Sequence, residues 1–153
     1  MDKIDDMQIG KAGEYLVCAD LIAKGFVAFP SEQGLPYDVV LDANGKLFKV
    51  QVKTTRTHKQ TPQRVSNINT YAFNIKRCGK KNRALHTEAS CDLFALVALD
   101  EKQIAYVKNA DVKQTMFFRV ESLRGSYRDE NINTVVRGRY LADFLLEDAI
   151  CQK

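Results

Sequence analysis

The amino-acid sequence predicts an α+β domain in which a mixed β-sheet is flanked by helices. Three observations predict it. A helical apolar pattern opens the chain over residues 9–24, a series of short strand-like runs fills residues 26–120, and a second helical pattern closes it over residues 140–150. A length of 153 residues with 45% apolar content fits one domain with one core, taken as 1–153.

In residues 9–24, Ile9, Ala12, Gly13, Leu16 and Val17 recur at helical spacing, and Gly25 is placed to end the helix. Glu14 has Gly10, Val17 and Cys18 one turn away, so its carboxylate leaves the helix near the edge of the apolar face. Residues 26–29 form a first strand ended by Pro30, and residues 31–36 are loop. Residues 37–41 give a second strand, Asp42-Ala43-Asn44-Gly45 has turn composition, and residues 46–55 alternate as a third strand, which makes a hairpin. On that third strand Phe48, Val50 and Val52 share one face, and Lys49, Gln51 and Lys53 share the other.

Residues 58–69 lack periodicity and contain Pro62, which predicts a binding loop. Residues 71–76 alternate as a strand in which Tyr71 and Phe73 are packing residues, and residues 78–83 form a basic turn. Residues 92–99 are a nearly continuous apolar run of the buried-strand type, paired through the turn Asp100-Glu101-Lys102 with a strand over 103–107. A short edge strand is expected over 117–120 and a polar loop over 124–133. The final helix, 140–150, carries Leu141, Phe144, Leu145 and Ala149 along one side.

Composition excludes several chemistries. Cys18, Cys78, Cys91 and Cys151 are widely spaced and do not combine with His58 and His86 into a zinc pattern, so free, mostly buried thiols are expected. Two histidines and no GxSxG leave little basis for a Ser–His or Cys–His mechanism. No apolar run approaches the ~20 residues of a membrane helix, and the polar, acidic start is unlike a signal peptide, so a soluble, cytoplasmic protein is expected. Carboxylates and lysines must carry the chemistry.

The net charge of +4 is unevenly spread. Between Ala43 and Thr87 there is no Asp or Glu, while Lys46, Lys49, Lys53, Arg56, Lys59, Arg64, Lys76, Arg77, Lys80, Lys81 and Arg83 supply eleven positive charges, leaving −7 for the remainder of the chain. A surface selected for solubility intersperses both signs. A region this biased is suited to a polyanion, and nucleic acid is the expected class of partner. Within it Gln60, Gln63, Arg64, Asn67 and Asn69 have side chains able to read base edges, and Arg56, Lys59, Lys76, Arg77, Lys80, Lys81 and Arg83 complete the expected DNA-binding set, with Arg77 and residues 80–83 as phosphate contacts.

Three features converge on one face: Asp38 at the start of the hairpin, the triplet Gln51-Val52-Lys53 on its return strand, and Glu14 on the helix before it. Gln51 and Lys53 project from the same side of the strand about 7 Å apart. Phosphodiester hydrolysis needs a hard cation, and Mg²⁺ takes one or two carboxylates together with waters and substrate phosphate. Asp38 and Glu14 supply the carboxylates and the Val52 carbonyl a third oxygen. Gln51 offers its side-chain oxygen or holds a water. Lys53 stands where it can position the nucleophile and offset transition-state charge. Mn²⁺ is the expected substitute cation.

Pro36-Tyr37-Asp38 followed by Gln51-Val52-Lys53 resembles the motif of the PD-(D/E)XK nuclease superfamily, and the Gly10-Lys11-Ala12-Gly13-Glu14 helix is similar to that family's N-terminal acidic helix. The resemblance covers about the first 55 residues with specificity. It departs from the motif where Tyr37 separates the Pro from the Asp, and where Gln51 replaces an acid and so removes a negative charge. A Gln at this position, with the strand Tyr71-Ala72-Phe73-Asn74-Ile75, looks most like the homing endonucleases of the superfamily encoded in cyanobacterial group I introns. The resemblance implies a restriction-endonuclease-like core and a Mg²⁺-dependent double-strand cutter. It further implies a pseudo-palindromic target, a homo-oligomer, dimer or tetramer, and a place with the nucleoid. A Holliday junction resolvase and a DNA-binding module on a decayed nuclease fold are the alternatives.

Overall fold

The computed structural model of the chain describes residues 4–58, 70–75, 90–121 and 139–151. Helix α1, Asp6–Ala23, begins three residues earlier than the apolar periodicity predicts, because Asp5 and Gln8 form a capping box. The Gln8 N–H donates to Asp5 Oδ1 at 2.7 Å, and the Asp5 N–H donates to Gln8 Oε1 at 3.0 Å. The helix gives way at Lys24 to Gly25, whose φ of +89° is the left-handed conformation that ends helices.

The strands are β1 (Val27–Pro30), β2 (Val39–Ala43), β3 (Lys46–Thr55), β4 (Tyr71–Asn74), β5 (Leu93–Ala98), β6 (Gln103–Lys108) and β7 (Thr115–Phe118). Five of them form a mixed sheet in the order β1-β2-β3-β5-β6, with β3 and β5 parallel and the other pairs antiparallel. Pro30 lies inside β1 rather than after it, which an edge strand tolerates because one side of its backbone needs no donor. The β2–β3 connection tightens to Asn44-Gly45, both at positive φ (56° and 87°), the turn whose twist matches a two-residue hairpin. Asp42 Oδ1 accepts from the Gly45 N–H at 2.6 Å and locks that turn.

Alternation along the strands sends side chains into two cores. Val39, Leu41, Phe48, Val50, Val52, Leu93, Ala95 and Val97 pack against Val17, Cys18 and Leu21 of α1. Phe94, Leu96, Ala98, Ala105 and Val107 face the other way, onto a separate two-stranded antiparallel sheet of β4 and β7 that contributes Tyr71, Phe73, Met116 and Phe118. All six residues of β5 are buried, as the continuous apolar run predicts for a strand covered on both faces. The last described strand, predicted as an edge over 117–120, instead lies two residues earlier and belongs to this second sheet.

The expected helix over 140–150 is broken in two. Leu141–Asp143 is one 3-10 turn, Leu145 is extended, and only Leu146–Ile150 (α2) is α-helical. The break is caused by the open edge of β6: the Phe144 carbonyl accepts from the Tyr106 N–H at 2.9 Å, and the Phe144 ring packs edge-on to Phe118 at 5.0 Å. In consequence Leu145 is exposed, contrary to its expected place on the apolar side, and Leu146 fills the core. Cys18 and Cys91 are buried free thiols and Cys151 an exposed one; Cys78 lies outside the described residues. Among the described residues no helix is long and apolar enough to cross a membrane. The whole is an α+β, restriction-endonuclease-like fold, a mixed sheet flanked by helices.

Candidate active site

Asp38 is the residue just before β2, which begins two positions later than expected. Its N–H donates to the carbonyl of Val50 at 2.9 Å, although Val50 is already the register partner of Val39, so Asp38 and Val39 share one partner at the mouth of the hairpin, as at a β-bulge. The side chains of Asp38 and Gln51, thirteen residues apart in sequence, meet there. The Gln51 Nε2 donates to Asp38 Oδ2, and the Val52 N–H donates to the same oxygen at 2.8 Å. An ionised carboxylate can only accept, so Gln51 must turn its amino group towards Asp38 and its oxygen away. In this arrangement Gln51, nine-tenths buried, orients the acid.

Val52 turns its N–H to the β2 edge at a point where β2 has not yet begun. Within an extended strand the carbonyl of a residue faces the same edge as its N–H, so the Val52 carbonyl faces this gap. The loop that closes the gap, residues 31–38, is held by Ser31. Its N–H donates to the Asp38 carbonyl at 2.8 Å, and its Oγ donates to the Tyr37 carbonyl at 2.5 Å. Nothing in the sequence marks Ser31 out, since only its place in a polar loop is visible there.

α1 lies very close to β3 on its valine face, opposite the face that carries Gln51 and Lys53, so Glu14 is not on one face with them as expected but shares a pocket with Asp38. At Gly13 a Cβ would come within 1.9 Å of Thr54 Oγ1, so only glycine permits this approach. A pocket of about 310 Å³ opens between α1 and the 31–38 loop, with Lys11, Glu14, Ser31, Tyr37 and Asp38 among its walls. Glu14 is half-buried there and accepts from Lys11 Nζ at 2.5 Å. Lys53 is half-buried on the sheet face that carries Gln51. Larger hollows, of about 440 and 380 Å³, open around α2, the first at the start of β3 and the second along β6, and contain none of these residues.

The electrostatics follow from the packing. Burial lifts the Asp38 carboxyl above its ordinary value. The Val52 N–H opposes the rise, the charge of Glu14 adds to it, and the ammonium groups of Lys53 and Lys11 oppose it again. Glu14, Lys53 and Lys11 thus all act on Asp38 through space.

The donor set can be weighed against a metal ion. Among the described residues no three His, Cys, Asp or Glu side chains form a ready cluster. Two carboxylates that repel each other across one pocket are all-oxygen donors. That is what Mg²⁺ prefers, since it keeps several waters of its own. The residues fit a hard divalent cation bound with few protein ligands.

Of the expected DNA-binding residues, Arg56 is exposed just past the end of β3. Lys59, Gln60, Gln63, Arg64, Asn67, Asn69, Lys76, Arg77, Lys80, Lys81 and Arg83 lie outside the described residues.

Residues 4–135 match the PD-(D/E)XK endonuclease family, and the chain belongs to that family. A solved structure, that of the bacterial homing endonuclease I-Ssp6803I, is similar in fold with a TM-score of 0.61 at 16% sequence identity, covering 74% of this chain and 78% of that one. No curated protein matches the sequence significantly.

Proposed function

We propose that this chain is a Mg²⁺-dependent, site-specific endonuclease of duplex DNA, of the homing type. The observation that carries the reading is the meeting of Asp38 with Gln51 and Val52 at the mouth of the hairpin, in a pocket shared with Glu14 and within electrostatic reach of Lys53. Asp38 and Glu14 would hold the cation, with the Val52 carbonyl beside them; Mn²⁺ would substitute. When bound, the cation polarises the phosphoryl oxygen and makes water a better nucleophile. Gln51 keeps the Asp38 carboxylate aimed into the pocket. Lys53 places a positive charge beside the scissile phosphate, where negative charge grows as the bond breaks.

The acid-free stretch from Ala43 to Thr87 supports a polyanionic substrate, and Arg56 places one of its charges at the end of the strand that bears Gln51 and Lys53. The likeness in fold to a homing endonuclease supports a site-specific cutter; a pseudo-palindromic target, a homo-oligomer, dimer or tetramer, and a place in the cytoplasm at the nucleoid are part of the same proposal. A second reading, a DNA-binding module on a decayed nuclease fold, is favoured by one observation: Gln51 stands where the family motif carries an acid.

Incubation of the full chain with a randomised duplex library and Mg²⁺, followed by sequencing of the ends, tests the reading. Recurrent double-strand breaks at one sequence are expected. Preferential cutting of four-way junctions would point to a resolvase instead, and retention of DNA without any cutting in Mg²⁺ or Mn²⁺ would point to the decayed module.

A further inference from the structure

Lys11 has no part in the hydrolytic set, yet it lines the same pocket as Glu14 and Asp38. Its Nζ lies 2.5 Å from Glu14 Oε2, while the rest of the side chain stays half-exposed. A Glu14–Lys11 pair one turn apart on a helix is ordinarily a weak surface feature. Here its acidic member is a wall of the candidate metal pocket and only 17% exposed. Charge counting gives the pair a second meaning. With Gln51 neutral, the site holds two negative charges, Glu14 and Asp38, and two positive ones, Lys11 and Lys53. It is already balanced before any cation enters.

We propose that Lys11 is a displaceable counter-ion: its ammonium holds Glu14 until a divalent cation takes that carboxylate and drives Lys11 out of the pocket. This rests on the reading of Asp38 and Glu14 as the metal carboxylates. Two features follow from the position of Lys11. The long, exposed stem lets the ammonium leave for water at little cost, which a buried lysine could not do. An ammonium in direct contact with Glu14 and a cation on the same carboxylate repel, so the two compete rather than bind together. Lys11 therefore sets how much metal the site requires, and guards an unloaded carboxylate pair against its own repulsion.

Mn²⁺ affinity of the DNA-free full chain, read from the free-ion electron paramagnetic resonance signal at neutral pH, tests this without any cleavage assay. Lys11→Gln should bind Mn²⁺ about two- to fivefold more tightly than wild type, the range expected for loss of one partly exposed competing pair. Lys11→Arg, which keeps the charge, should bind as wild type does. Glu14→Gln should bind more weakly. The proposal is overturned if Lys11→Gln leaves affinity unchanged or lowers it while Glu14→Gln still weakens binding. That pattern would leave the metal site standing and remove only Lys11 from it. A wild-type chain that binds no Mn²⁺ would instead sink the metal reading, and this proposal with it. Circular dichroism on each variant separates a lost helix from a changed site.

Discussion

Asp38 is under two opposed demands, since the packing that aims it also penalises its charge. Burial and the neighbouring Glu14 raise its pKa in the folded chain above the ordinary carboxylate value. The folded state thus binds the proton more tightly than the unfolded state, and the sign follows from proton linkage. Stability is greater below the ordinary carboxylate pKa and is lost as pH rises through the raised one. Asp38→Asn should therefore raise the unfolding temperature of the metal-free protein at neutral pH, by about 1–3 °C, an effect kept small by solvent screening. The advantage should vanish in a melt below pH ~4, where the wild-type carboxyl is also protonated. A variant that melts lower than wild type at neutral pH would show that the two donated hydrogen bonds outweigh the buried charge. Gln51→Glu makes the complementary test. It sets a second carboxylate against Asp38 in place of a donor, so the metal-free protein should lose about 1–3 kcal/mol. Mn²⁺ should return that loss in a thermal melt, because the added charge strengthens the donor set.

Much of this site is legible in the sequence because its parts are set by register. Once residues 46–55 are read as a strand hairpinned to Asp38, period-two alternation puts Gln51 and Lys53 on one side and the core valines on the other. The orientation of the Gln51 amide is not legible, since it depends on whether the partner is an acceptor in three dimensions. Ser31 and Lys11 are equally hidden. Ser31 acts through two backbone carbonyls that any sequence would offer, and Lys11 matters only because Glu14 is a pocket wall.

At the scale of elements, the approach of α1 to β3 decides whether Glu14 belongs to the site at all. Gly13 permits it by offering Thr54 no side chain to meet. Gly13→Ala should cost about 1–3 kcal/mol in urea unfolding, as overpacking does. Because the nearest obstruction is Thr54 Oγ1, a buried hydroxyl without a hydrogen-bond partner among the described residues, Thr54→Ala in the same chain should recover part of the loss. Additive losses would mean that the helix shifts rather than strains.

The element order is readable from periodicity, and the places where periodicity misleads have local causes. The start of α1 escapes it because a cap is a pair of polar residues, Asp5 and Gln8, that an apolar pattern cannot register. The final helix is overextended because Leu141, Phe144 and Leu145 fit a helical stripe in sequence. The backbone of Phe144 is spent on the edge of β6, a partner that lies about forty residues away and that no local pattern reveals. The second sheet, β4 with β7, is likewise invisible as a pair, although Tyr71 and Phe73 are recognisable as packing residues.

For the whole molecule, charge is the property that the sequence states most openly. A chain of net +4 that gathers eleven cations into 45 residues and leaves −7 elsewhere should bind duplex DNA with a steep salt dependence. Replacing Lys80, Lys81 and Arg83 together with alanine should flatten the slope of log K against log salt by up to about 3, near 0.9 for each phosphate that is no longer neutralised. Fluorescence anisotropy with a duplex across a salt series measures it, and an unchanged slope would take residues 80, 81 and 83 out of the DNA-binding set.

The central claim is that Asp38 and Lys53 serve one reacting phosphate. Its most direct test compares wild type, Asp38→Asn and Lys53→Ala on the same duplex target, with binding measured in Ca²⁺ and cutting in Mg²⁺. We expect all three to bind within a few-fold of one another and only wild type to cut, both variants losing about 10²-fold or more in rate. Either variant cutting at the wild-type rate would contradict the account.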